Sequence, residues 1–373
     1  MRGEVGYLIL EDGTILKGKP FGARTVRYGE VVFTTAMVGY PESLTDPSYK
    51  GQILVETNPL MGNYGVPSKE LKENGLPLHY ESDSIKVEGF VVSRLMRPNH
   101  WSSVMSLDEW LRREGVPGLQ GIDTRAVVKK IREKGVMRGA IVTDGSDPKE
   151  VLENVEKIDY ETTNFVELVS PSSPIIHVPE GKISGTIVVV DMGIKYGILR
   201  ELLRRGFKLI RIPWDWDPIE AYESYNADGV FFSNGPGNPS LLKVVAKNAK
   251  KVLDAGIPTM GVCLGEQVLA LADGAEIYKL KYGHRGINKP VKDLESGKAF
   301  VTTQNHGYAI EPETLNEFYV WMINLDDNTV EAIKHKELPV IATQYHPEAS
   351  PGPWDSTWVF DEFAKLVRGD ANV

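Results

Sequence analysis

Cysteine is nearly missing: Cys263 is the only one in 373 residues. One cysteine cannot form an internal disulfide, so the chain reads as a protein of a reducing, cytoplasmic compartment. Apolar runs of about 18 residues are also missing, which excludes a membrane-spanning helix. The opening residues, Met-Arg-Gly-Glu-Val-Gly, lack the apolar stretch of a signal peptide. Positive charge is in deficit. Lys and Arg number 42 against 51 Asp and Glu, a formal net charge of −9. That balance argues against a nucleic-acid binder, which would show a basic face. No Gly-x-x-x-x-Gly-Lys-[Ser/Thr] stretch occurs, so a phosphate-binding loop of that type is excluded. Internal repeats and low-complexity segments are absent. What remains is an ordinary globular composition, long enough for two or three domains at about 150 residues each.

The single cysteine lies in Ile257-Pro-Thr-Met-Gly-Val-Cys-Leu-Gly-Glu-Gln-Val-Leu-Ala-Leu-Ala-Asp-Gly274. This pattern predicts a short apolar strand over 258–262, a helix over 264–272 and a stop at Asp273-Gly274. Gly261 and Gly265 flank Cys263 at two residues on either side. That is the spacing of a nucleophile elbow, with sulfur where a hydrolase has serine. A side chain on a sharp strand-to-helix turn points away from the sheet edge, and small neighbours avoid Cβ clashes there. The helix N-terminus behind the sulfur supplies potential that favours an anionic nucleophile. On residue type alone, a small buried packing role competes with this reading. A base and an oxyanion hole must therefore be found elsewhere.

The first half of the chain reads as strands followed by helices. Residues 6–21 predict a β-hairpin around Asp12-Gly13, with further strands over 30–34, 52–57 and 87–94. The stretches 39–51, which carries Ser48, and 58–67 read as irregular loops. Ser106-Leu-Asp-Glu109 is a capping box opening a helix to Arg113. Asp123 caps a helix over 124–134 that stops at Gly135, and Asp147-Pro148 opens another reaching about residue 157. Strands then helices, without βαβ alternation, predict an N-terminal α+β domain over 1–170. Ser170-Pro-Ser-Ser-Pro-Ile-Ile-His-Val-Pro-Glu-Gly181 shows no periodicity, and 171–184 is assigned as a linker. From 185 to 373 strand and helix alternate, which predicts an α/β domain with a mostly parallel sheet. Ligands in such sheets sit at the carboxyl ends of strands, where Gly235-Pro-Gly237 and Cys263 both fall.

The base is found in Pro339-Val-Ile-Ala-Thr-Gln-Tyr-His-Pro-Glu-Ala-Ser350, where an apolar strand over 340–344 runs into His346-Pro347-Glu348. Pro347 excludes a helix there. His346 and Glu348 are then oriented together, the imidazole taking the thiol proton and the carboxylate fixing its tautomer. A surface ion pair is the competing reading of one His beside one Glu. Position at a strand end in the domain of the elbow favours the chemical reading. Backbone amides of Leu264 and Gly237 are the oxyanion donors. Lys281-Tyr-Gly-His-Arg-Gly286 reads as a polar turn and Thr302-Thr-Gln-Asn-His-Gly-Tyr-Ala309 as a polar loop. They hold His284 and His306, but no carboxylate or cysteine sits at ligand spacing, so no metal site is expected.

Gly-Val-Cys-Leu-Gly-Glu-Gln267, Ser-Asn-Gly-Pro-Gly237, Gln-Asn-His-Gly-Tyr308 and His-Pro-Glu348 together resemble the class I (triad) glutamine amidotransferases, in that family's order and over about 185–373. In the first half, Gly-Glu-Val-Val-Phe-Thr-Thr-Ala-Met-Val-Gly-Tyr40, Leu-Thr-Asp-Pro-Ser-Tyr49 and Gly-Ile-Asp-Thr-Arg125 are similar to the small subunits of carbamoyl-phosphate synthetases, as is His-Pro-Glu-Ala-Ser-Pro-Gly-Pro353. The resemblance implies that Cys263, His346 and Glu348 hydrolyse L-glutamine through a thioester. It implies a glutamine pocket made by Ser48, Gly235, Gly237, Leu264, Gln267, Asn305, Gly307 and Tyr308. It also implies a large synthetase subunit as partner, which receives the ammonia. That subunit would use ATP, Mg and bicarbonate to make carbamoyl phosphate for pyrimidine and arginine biosynthesis, and this chain would need no cofactor. Glu266 stands where the family often has histidine, and Tyr308 where phenylalanine is common. Two other readings are a glutaminase serving a different synthetase, such as one making guanylate or anthranilate, and a non-catalytic scaffold. The first half of the chain argues against the former, and the presence of Cys263 and His346 against the latter.

Overall fold

The Asp12-Gly13 turn joins β1 (Gly6–Leu10) to β2 (Ile15–Gly22), with Gly13 at φ 82°. Left-handed backbone of this kind is available to glycine without a Cβ clash. Five more strands follow, β3 (Val26–Thr34), β4 (Gln52–Glu56), β5 (Gly89–Val92), β6 (Pro117–Gln120) and β7 (Met137–Val142). In this computed structural model, which describes residues 5–370, the seven strands close a barrel in the order β1-β7-β3-β4-β5-β6-β2. The barrel belongs to the first of two units, made of the residues up to Leu71 together with Pro77–Thr163.

Three helices start and stop where side chains cap them. Ser106 accepts from the Glu109 amide to open Leu107–Arg113, Asp123 accepts from Ala126 to open Thr124–Lys134, and Asp147 opens Pro148–Val155. Leu107, Trp110 and Leu111 pack on Val32, Leu54, Phe90 and Val92 of the barrel. Val151 and Val155 cover Ile9, Ala140 and Val142. Each such buried side chain contributes about 1.5–3 kcal/mol relative to exposure.

Two readings of the first half need correction. The pairs β3–β4, β4–β5 and β5–β6 are parallel, and their crossovers run through Tyr40–Thr45 and Leu107–Arg113. The stretch 39–51 is therefore not an irregular loop. Pro41 lies in the first turn of its short helix, Tyr40–Thr45, where a missing N–H costs nothing. Asp46 then caps a 3-10 turn, Pro47–Tyr49, by accepting from the Ser48 amide.

The second unit comprises Lys72–Leu76 and the chain from Asn164 onward. Its strands are β8 (Ile175–His177), β9 (Gly185–Asp191), β10 (Phe207–Pro213), β11 (Gly229–Phe232), β12 (Thr259–Val262), β13 (Ile277–Asp293), β14 (Ala299–Ile310), β15 (Phe318–Asn324), β16 (Val330–His335) and β17 (Val340–Thr343). They form one sheet in the order β8-β10-β9-β11-β12-β17-β16-β15-β13-β14. The run from β10 to β17 is parallel, as βαβ alternation predicts. The rest is antiparallel, so the sheet is mixed rather than mostly parallel. After the elbow helix the chain stops alternating and folds back on itself in long hairpins.

The polar stretches around His284 and His306 are strand, not turn and loop. They lie in β13 and β14, where ladder bonds satisfy the backbone while the polar side chains find one another. The 171–184 stretch is not a plain linker either. Ile175–His177 adds an antiparallel edge strand to β10, bracketed by Pro174 and Pro179, an edge position that tolerates flanking proline. The unit boundary falls earlier, at Thr163/Asn164, and Val166 is buried in the sheet's core. Among the described residues no helix is long and apolar enough to cross a membrane.

Candidate active site

Four neighbouring parallel strands, β9, β11, β12 and β17, deliver the site from their carboxyl ends. β12 ends at Cys263, which holds φ 55° and ψ −105° as it opens the helix Leu264–Ala272. A non-glycine residue in such a region carries about 1–3 kcal/mol of strain, tolerated where the surroundings over-determine it. Here they do. The Cys263 amide donates to the Thr343 carbonyl of β17 at 2.7 Å. A Cβ on Gly261 would meet the Gly265 backbone at 2.7 Å, and one on Gly265 would meet the Phe232 carbonyl oxygen at 2.1 Å. The Gly-x-Cys-x-Gly frame is thus required by contact on both sides of the nucleophile. The Cys263 thiol is buried and directed at the Asn305 carbonyl, Sγ to O 3.8 Å.

β17 runs on to His346, whose amide donates to the Thr303 carbonyl of β14 at 2.9 Å. His346 Nδ1 lies 2.7 Å from Glu348 Oε1. The same oxygen receives Lys195 Nζ at 2.8 Å, and all three side chains are essentially inaccessible to solvent. His346 Nε2 has no partner of full hydrogen-bonding geometry, which leaves that nitrogen for the Cys263 proton. Burial alone would lower the His346 pKa. The Glu348 carboxylate overrides it, aided by Cys263, and raises the imidazole to about 10 against opposition from Lys195. Burial alone would raise Glu348, but Lys195 and His346 hold it down to about 2. The carboxylate is therefore a fixed anion that orients the ring, with Nδ1 toward Glu348 and Nε2 free.

Lys195 was not among the residues singled out from the sequence. It immediately precedes the helix Tyr196–Arg204 in the turn after β9. A lysine at the carboxyl end of a central parallel strand was the available signal, since such ends carry the chemistry of these sheets. Its buried pairing with Glu348 is consequential, because removing one partner of such a pair costs about 3–5 kcal/mol.

Seven of the eight residues expected to bind glutamine lie in this unit. Leu264 opens the elbow helix, so its amide is unclaimed by helical bonding. Gly235 and Gly237 lie in the turn after β11. A Cβ at Gly235 would meet the Met192 carbonyl oxygen at 2.2 Å, and Gly237 holds φ 92°, so both positions favour glycine. Asn305, Gly307 and Tyr308 lie on β14. Gln267 is a brace: its Nε2 donates to Gln344 Oε1 at 2.8 Å and to the Tyr308 carbonyl at 3.3 Å. Ser48 lies in the first unit, buried in its 3-10 turn. Glu266 is fully buried with neither oxygen hydrogen-bonded. Burial, then the charges of Glu331 and Cys263, hold its carboxyl well above the usual range. The expectation that no carboxylate accompanies His284 and His306 is overturned. Glu331, on β16, comes within 3.5 Å of His284 and 3.8 Å of His306.

Comparison with known proteins accounts for both units. The model of the carbamoyl-phosphate synthase small chain, CPSase domain, matches residues 8–141, and that of class I glutamine amidotransferases matches 188–366. The chain is 76% identical over 364 residues to the carbamoyl phosphate synthase small chain of Pyrococcus furiosus, covering 98% of each. The chain belongs to the carbamoyl-phosphate synthase small-chain family. The small chains of Sulfolobus acidocaldarius and Sulfurisphaera tokodaii are 51% and 52% identical to it, covering 98% or more of this chain and 98% of each relative. The second unit is accordingly a class I glutamine amidotransferase domain, and the chain is an enzyme component rather than a scaffold.

Proposed function

We propose that Cys263, His346 and Glu348 release ammonia from L-glutamine for a large synthetase subunit that makes carbamoyl phosphate. The observation that carries this reading is Cys263 on its strained elbow, with His346 Nε2 unpartnered and Nδ1 locked to Glu348. The Cys263 proton, taken up by His346 Nε2, stays on the imidazole while the sulfur attacks the side-chain amide carbon of glutamine. The amides of Leu264 and Gly237 receive the oxyanion. His346 then gives its proton to the amide nitrogen, the C–N bond breaks, and ammonia leaves a glutamyl thioester. Water attacks the thioester, its proton passes through His346 to the departing sulfur, and glutamate is released. Glu348 stays ionised throughout, and Lys195 is the cation that keeps it so.

None of these steps needs a cofactor in this chain. ATP, Mg and bicarbonate serve the large subunit. Ser48, Gly235, Asn305, Gly307 and Tyr308 bind the glutamine, with Gln267 supporting Tyr308 from behind. The first unit serves as a docking platform for the large subunit, since the second already carries a complete triad and a stable interface needs area of its own.

The test is incubation of the whole chain with a glutamine-like electrophile, followed by peptide mass analysis, beside an ammonia-release assay with and without the large subunit. One adduct at Cys263, with activity lost in proportion, is expected. Full activity in Cys263→Ser would overturn the assignment of the nucleophile.

A further inference from the structure

His284 and His306 face each other in the register between β13 and β14. Their ring centroids are 4.9 Å apart and nearly perpendicular. Glu331 reaches them from β16, and one ligand-capable atom from each of the three lies within 4.8 Å of the others. All three residues are buried.

The outer nitrogens of both rings are already committed. His284 Nε2 lies 2.8 Å from Asp327 Oδ2, and His306 Nδ1 lies 2.9 Å from the Tyr308 carbonyl oxygen. A carboxylate and a carbonyl only accept, so both ring atoms donate. The inner atoms, His284 Nδ1 and His306 Nε2, face the Glu331 carboxylate, and they carry lone pairs when both rings are neutral, the form that a metal requires. The Asn324 amide supports this assignment, since its Nδ2 donates to Glu331 Oε1 at 3.0 Å and reaches His284 Nδ1 at 3.3 Å. Two atoms of the group, His306 Nε2 and Glu331 Oε2, have no hydrogen-bond partner although fully enclosed. Leaving a buried polar atom without a partner costs about 1–3 kcal/mol. A cation fills the gap at His306 Nε2, and a Glu331 carboxylate that chelates it through both oxygens fills the gap at Oε2.

We propose that His284, His306 and Glu331 form a binding site for a divalent transition cation of the zinc type, with a solvent molecule as its fourth ligand. Two imidazole nitrogens and one carboxylate oxygen are a zinc donor set, whereas calcium and magnesium take oxygen ligands. Both separations from the carboxylate fit. Glu331 Oε1 is 3.5 Å from His284 Nδ1 and 3.8 Å from His306 Nε2. Bonds of about 2.0–2.1 Å in a tetrahedron place ligand atoms roughly 3.3–3.4 Å apart, so contraction by a few tenths of an ångström closes these two edges. Asp327 and the Tyr308 carbonyl supply the outer hydrogen bonds that orient metal-bound imidazoles. Glu266, whose unpartnered carboxyl feels the charge of Glu331, gains a nearby positive charge. The cation ties together β13, β14 and β16, and β14 carries Asn305, which receives the Cys263 thiol. Its role is to hold that strand, without touching the reacting atoms.

The experiment uses the full chain, stripped with a strong chelator and then titrated with zinc and with cobalt(II). About one zinc per chain is expected by elemental analysis, with an unfolding midpoint that falls on stripping and returns on reloading. Cobalt should give visible absorption bands of nitrogen and oxygen coordination, without a thiolate band. Cys263→Ser must retain the metal, because zinc held by the nucleophile would overturn the site. Asp327→Asn, changing a half-exposed outer partner, should weaken zinc affinity about 10–100-fold. Glu331→Gln should remove binding at the same zinc concentration. Less than a tenth of an equivalent bound by the stripped wild-type chain, with an unchanged midpoint, overturns the proposal. So does full affinity in Asp327→Asn and Glu331→Gln together.

Discussion

Two buried histidine–carboxylate assemblies lie in the amidotransferase unit, and His346 of one and His306 of the other are poised in opposite directions. His346 Nδ1 is 2.7 Å from Glu348, while His306 Nε2 is 3.8 Å from Glu331 and shares that carboxylate with His284. Burial lowers an imidazole pKa in both places. At His346 the directly bonded carboxylate overrides burial and lifts the ring to about 10. At His306 burial prevails and the ring stays below its ordinary range. Separation by roughly one ångström, with a competing second imidazole, decides between a group that takes protons and one that offers a lone pair. Both carboxylates are held down to about 2, Glu348 chiefly by Lys195 and Glu331 by the two histidines, each against the effect of burial. Residue type and burial are therefore common to the two assemblies, and distance and the third partner assign their roles.

The sharpest way to break this comparison is to substitute one histidine from each. His346→Asn should lower kcat for ammonia release by roughly 10³-fold or more, the worth of a positioned acid–base group. His284→Asn should leave kcat within about tenfold and lower stability by about 3–5 kcal/mol, because Glu331 loses a buried partner. Steady-state ammonia assays beside denaturant unfolding separate the two. A folded His284→Asn protein without turnover would merge the assemblies into one.

Next in size is the carboxylate. Glu348→Gln should lower kcat by roughly 10²-fold, less than His346→Asn, since it orients the ring rather than carrying the proton. It also strands the Lys195 cation and should cost about 3 kcal/mol of stability. Adding Lys195→Met should return most of that stability without restoring the rate. A double-variant cycle measures the coupling, and simple additivity would show that Lys195 does not act through Glu348.

The pH dependence of stability sharpens the same contrast. The His346 pKa is raised from 6.5 to about 10, so its stabilising effect is complete below about 6.5 and lost as pH climbs toward 10. The Glu348 pKa is lowered from 4.5 to about 2, so its effect is complete above about 4.5 and lost as pH falls toward 2. Together the pair contributes most between about 4.5 and 6.5. Calorimetry should show His346→Asn with a flatter alkaline slope than the wild type. An unchanged slope would mean that His346 does not gain its proton affinity from folding. Smallest of all, and outside both assemblies, Ser48→Ala should raise the glutamine KM about fivefold, the worth of about one hydrogen bond near 1 kcal/mol, with kcat little changed. An unaltered KM removes Ser48 from the pocket.

Much of the nucleophile's side of the site was legible in residue order. Gly-x-Cys-x-Gly works through contacts made within a few residues, and the Ser106, Asp123 and Asp147 caps likewise act on amides close by in the chain. His346 and Glu348 were legible because they are two residues apart beyond a strand. Lys195 was not, because a lysine acquires a role here only when the sheet sets β9 and β17 in one parallel run. The polar segments around His284 and His306 looked like solvated turns for a similar reason. Nothing near them along the chain shows that Glu331 arrives from β16 to enclose them.

By itself, then, the sequence determined whatever short-range sterics and hydrogen bonds decide: the elbow at Cys263, the helix caps, the turn at Asp12-Gly13 and the proline-bounded His346-Pro347-Glu348. Only the tertiary structure decided that the seven strands of the first half close into a barrel and that Ile175–His177 joins a sheet edge. It alone brought Lys195 to Glu348 and Glu331 to two histidines. The physical reason is one of range. A cap or a turn closes over a few bonds, with little competition from other conformers. A buried charge depends on partners that are far along the chain until strand register brings them within a few ångströms, where the low local dielectric makes each added ångström count.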